Sequence, residues 1–404
     1  LPCSSFFVIF LRLMAISPVI PVYNRTNLSF ERGEGAYLYT PEGERYLDFL
    51  SGIAVNSLGH CHPHLVQTLK DQSEKLWHVS NIFSIEPLTR LSKRLVENSF
   101  ADSVFFCNSG AEAVECGLKA IRKYFDENDK PEKHRVITFD GAFHGRTFGA
   151  IAATGTPKVL EGFEPRLPGF DKVAINIEAV KAAITHETAA ILIEPVQGEG
   201  GIKPIPTEFL QELRKICDEQ DLLLFFDEVQ CGNGRAAKLF AYQHFDVEPD
   251  ILATAKGLGG GFPIGACLMK EKVAETLKTG SHGTTFGGNP LATAVGNAVL
   301  DILLEEGFMQ KVSDIAGNLR DKLESLQNKF PTIVDEVRGL GLLMGIKLRP
   351  EFENTKMVEK LRENKLLVNA AGDNVVRIIP PLIIEESHVE EALEIIEKTF
   401  GEML

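Results

Sequence analysis

The strongest constraint on this chain is a rhythm across residues 88–270, where short, continuous apolar runs alternate with helical patterns. The runs are Val104-Phe105-Phe106, Val136-Ile137-Thr138-Phe139, Ala190-Ile191-Leu192-Ile193, Leu222-Leu223-Leu224-Phe225-Phe226 and Ile251-Leu252-Ala253, each bounded by turn or polar residues. Strands that are apolar throughout must be covered on both faces, and helices between them supply right-handed crossovers. The pattern therefore predicts an α/β fold with a largely parallel sheet between helices. Such sheets bind ligands at the carboxyl ends of their strands, and Glu194 and Asp227 stand at two of those ends.

A chain of 404 residues exceeds one ordinary domain and is expected to divide. A Gly- and Pro-punctuated stretch, 280–290, precedes a helical pattern over 291–304. The tail beyond Pro331 alternates strand-like runs (341–346, 375–379) with helical ones (356–365, 386–400), as a smaller α/β unit would. The net charge of −14 argues against nucleic acid or an anionic membrane surface as partner, because both demand clustered positive charge. Seven scattered cysteines without a Cys-x-x-Cys pair read as reduced thiols in a cytoplasmic protein with no zinc site. Residues 1–13 are apolar, too short to span a bilayer and lack a basic start, so translation is expected to begin at Met14. A cleaved targeting peptide is the alternative for that stretch.

The chemistry centres on Lys256, in Thr254-Ala255-Lys256-Gly257-Leu258-Gly259-Gly260-Gly261. A lysine that forms an imine with an aldehyde cofactor needs backbone close around it, and the ring nitrogen of that cofactor needs a carboxylate to hold its proton. Lys256 and Asp227 supply that pair, which is what pyridoxal phosphate requires. An ordinary solvated lysine is the plain alternative when the segment is taken alone. Cys107-Asn108-Ser109-Gly110-Ala111-Glu112 closes a strand and opens a helix, offering free N–H groups to a phosphate. The same residues also read as a simple capping box with Ser109 and Glu112. Phe143-His144-Gly145-Arg146 brings an aromatic ring and an arginine to the same sheet edge. Gly257–Gly261 has the wrong spacing for a dinucleotide fingerprint, and His60-Cys61-His62-Pro63-His64 reads as loop rather than metal site.

Taken in order, Phe105–Ala113, Phe143–Thr147, Glu194-Pro195-Val196-Gln197-Gly198-Glu199-Gly200-Gly201, Asp227-Glu228-Val229-Gln230, Ala255–Gly261 and Thr285-Phe286-Gly287-Gly288-Asn289-Pro290 resemble the class III (subgroup II) pyridoxal-phosphate-dependent aminotransferases. The resemblance covers nearly all of 14–404 and implies fold type I of the pyridoxal-phosphate transferases, with a mainly parallel seven-stranded sheet. It also implies a division into a leader (1–13), an N-terminal segment packing with the small domain (14–60), a large cofactor-binding domain (61–290), and an interdomain helix with a small C-terminal domain (291–404).

Residue by residue, the resemblance implies that Lys256 holds the cofactor aldehyde and later carries the substrate proton. Asp227 would face the pyridinium, Gln230 the phenolic oxygen, and Phe143 and Val229 the two ring faces. Ser109, Gly110 and Ala111 would hold the phosphate together with Thr285 of a neighbouring subunit, which makes the active site the property of a homodimer. Tyr23 and Arg146 would grip the carboxylate of an ω-amino acid, Ile53 would line its pocket, and Arg377 would take the α-carboxylate of glutamate or 2-oxoglutarate. Glu199 would mask Arg377 in one half-reaction and release it in the other. Thr154-Gly155-Thr156-Pro157-Lys158 with Glu161-Gly162-Phe163 points to N2-acetyl-L-ornithine as donor. Succinylornithine, succinyl-diaminopimelate, 4-aminobutyrate and ornithine are the alternatives, and an aminomutase or a non-catalytic cofactor-binding protein would be a different class. Cys231, Ala236 and Thr284 depart from the pattern usual in the class and put substrate preference in doubt.

Overall fold

A computed structural model describes residues 18–404, so the leader expectation lies outside the described residues. The chain opens with three short antiparallel strands, β1 (Arg32–Glu34), β2 (Tyr37–Tyr39) and β3 (Arg45–Asp48). The central sheet is built from β4 (Ser103–Cys107), β5 (Arg135–Phe139), β6 (Phe170–Val173) and β7 (Thr188–Ile193), followed after a small ribbon, β8 (Val196–Gln197) and β9 (Lys203–Pro204), by β10 (Leu223–Asp227), β11 (Ile251–Thr254) and β12 (Gly265–Met269). Its order is β4-β12-β11-β10-β7-β5-β6, a seven-stranded sheet in which only β12 runs antiparallel to its neighbours.

Side chains of β10 alternate between two buried cores: Leu224 and Phe226 enter one, Leu223 and Phe225 the other. That is the geometric reason the run is apolar without a break. Each buried phenylalanine contributes roughly 1.5–3 kcal/mol relative to exposure. Helix Gly110–Glu127 covers one face, and Gly117 lets it approach so closely that a Cβ there would collide with the Phe225 ring.

Beyond the central sheet, helices Pro290–Leu303 and Phe308–Lys329 lead to β13 (Val334–Leu340), β14 (Leu343–Leu348), β15 (Leu366–Leu367), β16 (Asn369–Ala371) and β17 (Val375–Ile378). The order β13-β14-β17-β16 makes an antiparallel sheet, while β15 pairs in parallel with β3 and so ties the N-terminal strands to the C-terminal part. The run 341–346, expected as one strand, is divided: Gly341 and Leu342 form the turn of the β13–β14 hairpin, with Gly341 at φ +59°. The long helix Phe308–Lys329 and strands β6 and β12 have no counterpart among the elements read from the residues. Among the described residues, no helix is long and apolar enough to cross a membrane.

Candidate active site

At the carboxyl edge of the central sheet lies a cavity of about 300 Å³, lined by Ser109, Gly110, Ala111, Phe143, His144, Glu194, Asp227, Val229, Gln230 and Lys256 among others. The strands place these groups: Asp227 ends β10, Glu194 follows β7, and Lys256 follows β11 by two residues. Lys256 has φ +45°, a conformation that L-residues with side chains avoid, and such outliers gather where function demands a particular side-chain direction.

Asp227 is 4% exposed and is held from two sides. Its Oδ1 accepts the Val229 N–H at 3.0 Å, and its Oδ2 lies 2.8 Å from His144 Nδ1. His144 Nε2 is buried without a partner among the described residues. The histidine lines the cavity and contacts Asp227, a placement that no sequence expectation had given it. It lay inside the quoted Phe143-His144-Gly145-Arg146 run, but nothing local separates a ligand-facing histidine from a packed one.

Glu194 accepts from Phe143 N at 3.0 Å and Gly198 N at 3.3 Å. Burial, outweighing the nearby His144, pushes its carboxyl up to about 7, with Asp227 adding to the rise. Lys256 is shifted the other way: burial first, and then the Arg377 charge, lower its pKa and favour the free amine, against the pull of Glu199, Asp227 and Glu194.

The helix Gly110–Glu127 starts at Ser109, whose hydroxyl accepts the Glu112 N–H. The Glu112 carboxylate reaches Asn108 N at 2.6 Å rather than closing a capping box on Ser109. The first-turn N–H groups of Gly110 and Ala111 have no intrahelical acceptor and border the cavity. A Cβ on Gly110 would lie 2.5 Å from Val229 Cγ1, so glycine is what keeps Val229 beside the anion-facing turn.

Arg377 is fully buried. Its Nη1 donates to Glu199 Oε1 at 2.5 Å and Gln230 Oε1 at 2.9 Å, and its Nη2 has no partner among the described residues. Burial alone would raise the Glu199 pKa, but the charge and hydrogen bond of Arg377, with Lys256 and Gln230, hold it below the usual range.

Tyr23 and Arg146 lie together in a second cavity of about 410 Å³, with Thr147, Phe148 and Phe163. The Arg146 guanidinium sits 5.5 Å from the centre of the Phe143 ring. Among the described residues it forms no ion pair or hydrogen bond. Ile53 lines neither cavity. It is 37% exposed, on a left-handed turn with positive φ at Ser51, Gly52, Ile53 and Ala54, whose start is pinned by Asp48 Oδ1 accepting from Leu50 N and Ser51 N. Thr285 is exposed, beside Asn108 and Glu112 in a separate cavity, and does not reach the first one from its own chain.

Residues 21–400 match the family model described as Aminotransferase class-III. The chain belongs to the class-III aminotransferases. Acetylornithine aminotransferase of Agrobacterium fabrum is 55% identical over 384 residues, 95% of this chain and 96% of its own. Among solved structures, N-acetylornithine aminotransferase from Stenotrophomonas maltophilia K279a shares 37% identity with a TM-score of 0.83, covering 94% of this chain and 97% of its own. Ornithine aminotransferase from Toxoplasma gondii ME49 shares 32% identity with a TM-score of 0.90, covering 100% and 96%.

Aminotransferases of this class depend on pyridoxal 5'-phosphate. The residues present fit that group: an amine whose charged form is disfavoured, a buried carboxylate for a ring N–H, an aromatic and a valine at the sides, and a helix start with free N–H donors.

Proposed function

We propose that this aminotransferase transfers the δ-amino group of N2-acetyl-L-ornithine to 2-oxoglutarate, giving N-acetyl-L-glutamate 5-semialdehyde and L-glutamate. The observation that carries the reading is the contrast between its two arginines. Arg377 is neutralised by Glu199 at 2.5 Å, whereas Arg146 has no counter-charge among the described residues. A carboxylate entering this state meets Arg146 at the mouth, which leaves the distal amine of an ω-amino acid to reach Lys256. The relatives named above, at 55% and 37% identity, support the acetylated donor.

When bound, pyridoxal phosphate supplies an electrophilic carbon and an electron-withdrawing ring. Lys256 first holds the cofactor through its Nζ. Once freed, its amine takes the proton from the substrate's δ-carbon, and the lowered pKa keeps it able to do so. Asp227, braced by His144 and Val229 N, holds the ring proton in place. In the second half-reaction Glu199 swings away, and Arg377 with its free Nη2 takes the α-carboxylate of the keto acid.

We further propose a cytoplasmic homodimer serving arginine biosynthesis, with Thr285 completing the neighbour's phosphate site. Support comes from the exposed apolar surface around that threonine. Trp77, Ile82, Phe83 and Phe286 are each at least 60% exposed, and Asn81 Nδ2 ties the two segments together through Thr284 O and Gly287 O.

The test is a single-turnover absorbance measurement on the cofactor-loaded enzyme, without keto acid, using N2-acetyl-L-ornithine, ornithine and 4-aminobutyrate in parallel. Conversion of the cofactor to its amine form is expected to be fastest with the acetylated donor. Faster conversion by ornithine or 4-aminobutyrate would reassign the donor, and conversion by none would remove the aminotransferase reading.

A further inference from the structure

The segment after β10, 228–236, touches the two backbones that carry Lys256 and Arg377. On one side Asn233 Nδ2 donates to Thr254 Oγ1 at 2.7 Å and Ala255 O at 3.0 Å, the residues that lead into Lys256. On the other, Arg235 Nη1 donates to Leu342 O at 3.1 Å and to Pro380 O, three residues beyond Arg377. The Leu342 N–H returns a bond to Arg235 O at 2.9 Å. The same C-terminal stretch is held from the N-terminal segment, where Ile379 N donates to Phe49 O at 2.8 Å and Leu382 N to Ser57 O at 2.7 Å. Ser57 Oγ in turn donates to Gly257 O at 3.0 Å.

Arg235 is 2% exposed, forms no ion pair among the described residues, and leaves its Nη2 unpartnered. Burial lowers its pKa to about 9, with Asp48 acting the other way, so it remains a cation at neutral pH. A buried cation satisfied only by main-chain carbonyls is costly, and apolar side chains would join two segments without that cost. What a guanidinium adds is direction, because the two N–H bonds of Nη1 are fixed in the guanidinium plane and aim at two carbonyl groups at once.

We infer that Arg235 is a positioning residue: by clasping Leu342 O and Pro380 O it sets where Arg377 stands relative to Lys256. It thereby sets the fit to the substrate whose α-carboxylate Arg377 receives. The inference rests on the assignment of Arg377 to glutamate and 2-oxoglutarate. The donor that docks at Arg146 is outside its reach, since Arg146 sits on the loop after β5 and shares none of these bonds.

Two substitutions loosen the clasp from opposite sides. Arg235→Lys keeps the charge and loses the planar Nη1 that aims at both carbonyls. Gly341→Ala leaves the guanidinium intact but drives a Cβ to 2.6 Å from Arg235 O at a φ of +59°, wedging the same junction. Both are compared with wild type and Arg377→Ala as holoenzymes, by single-turnover rates with glutamate and with N2-acetyl-L-ornithine, and by calorimetric affinity for glutarate, a dicarboxylate that cannot react.

A misplaced binding group costs up to about 100-fold, so a glutamate rate at least about 10-fold lower is expected in both variants, with weaker glutarate binding and a donor rate within about 3-fold of wild type. Parallel loss in the two half-reactions, or loss in neither, overturns the inference. If Arg377→Ala itself keeps wild-type glutamate turnover and glutarate affinity, the Arg377 assignment has failed, and the inference falls for that separate reason.

Discussion

The two arginines occupy opposite environments. Arg377 lies at the floor on a central strand of the C-terminal sheet, fully buried and locked to Glu199 and Gln230. Arg146 lies on an exposed loop in the second cavity, here taken as the mouth, with the Phe143 ring centre 5.5 Å from its guanidinium. Asp227, His144, Glu194, Glu199 and Arg377 each make at least one hydrogen bond within this chain, although His144 Nε2 and Arg377 Nη2 have no partner among the described residues. At the mouth the side chains are open to solvent: Tyr23 is 70% exposed, Phe148 67% and Phe163 54%. Asp227 and Arg377 are therefore held in buried, hydrogen-bonded positions, whereas Tyr23 and Arg146 stand open to solvent.

The largest effect should come from the floor. Lys256→Ala removes the group that moves the substrate proton and is expected to lower the single-turnover rate with either substrate by on the order of 10⁴-fold. A loss confined to one substrate would break the idea of a shared floor.

Substituting the arginines should separate the two regions. Arg377→Ala is expected to weaken use of glutamate by roughly 10- to 100-fold, the worth of a charge-assisted hydrogen-bonded pair, while sparing the acylated donor. Arg146→Ala should do the reverse. Single-turnover titrations with each substrate check both, and loss of the same substrate in both variants would contradict the division.

Glu199→Gln sharpens the comparison further. With the counter-charge removed, Arg377 is unmasked in the resting state, so the KM for glutamate should fall several-fold, roughly the effect of one pKa unit or less of charge interaction. Glutamate kinetics unchanged in this variant would remove the masking role.

A separate effect concerns stability rather than substrate use. The folded-state pKa of Glu194 is raised to about 7, above its unfolded value, so between about pH 4.5 and 7 the folded protein holds a proton that the unfolded chain has released. Its contribution is greatest at the acid end and is lost as pH rises through 7, by up to about 3 kcal/mol. Thermal unfolding of the apoenzyme from pH 5 to 8 should fall less steeply in Glu194→Gln. Equal slopes would mean that Glu194 does not titrate in this window.

Much of the floor is legible in sequence because backbone rules place it. Buried parallel strands end in Asp227, a strand-to-helix turn opens at Ser109, and small residues surround Lys256. The antiparallel strand β12 was hidden because Gly265-Ala266-Cys267-Leu268-Met269 has no β-branched residue. Edge strand β6 was hidden because Phe-Asp-Lys-Val is too short and half polar. The left-handed turn at Ile53 is pinned at its start by Asp48 and flanked by Phe49 and Ser57, whose carbonyls accept from the distant Ile379 and Leu382 N–H groups, which no local pattern announces. The pairing of His144 with Asp227 spans 83 positions, and the Glu199–Arg377 pair spans 178. Such contacts follow from the fold, and only the resemblance to a family put residues such as Arg377 in view beforehand.

The most direct measurement is to reduce the cofactor-loaded enzyme with borohydride, digest it and locate the phosphopyridoxyl group by mass spectrometry. The account predicts modification of Lys256 alone, abolished when N2-acetyl-L-ornithine is added before reduction. Stable labelling of another lysine, or Lys256 labelling that the donor leaves unchanged, would contradict it.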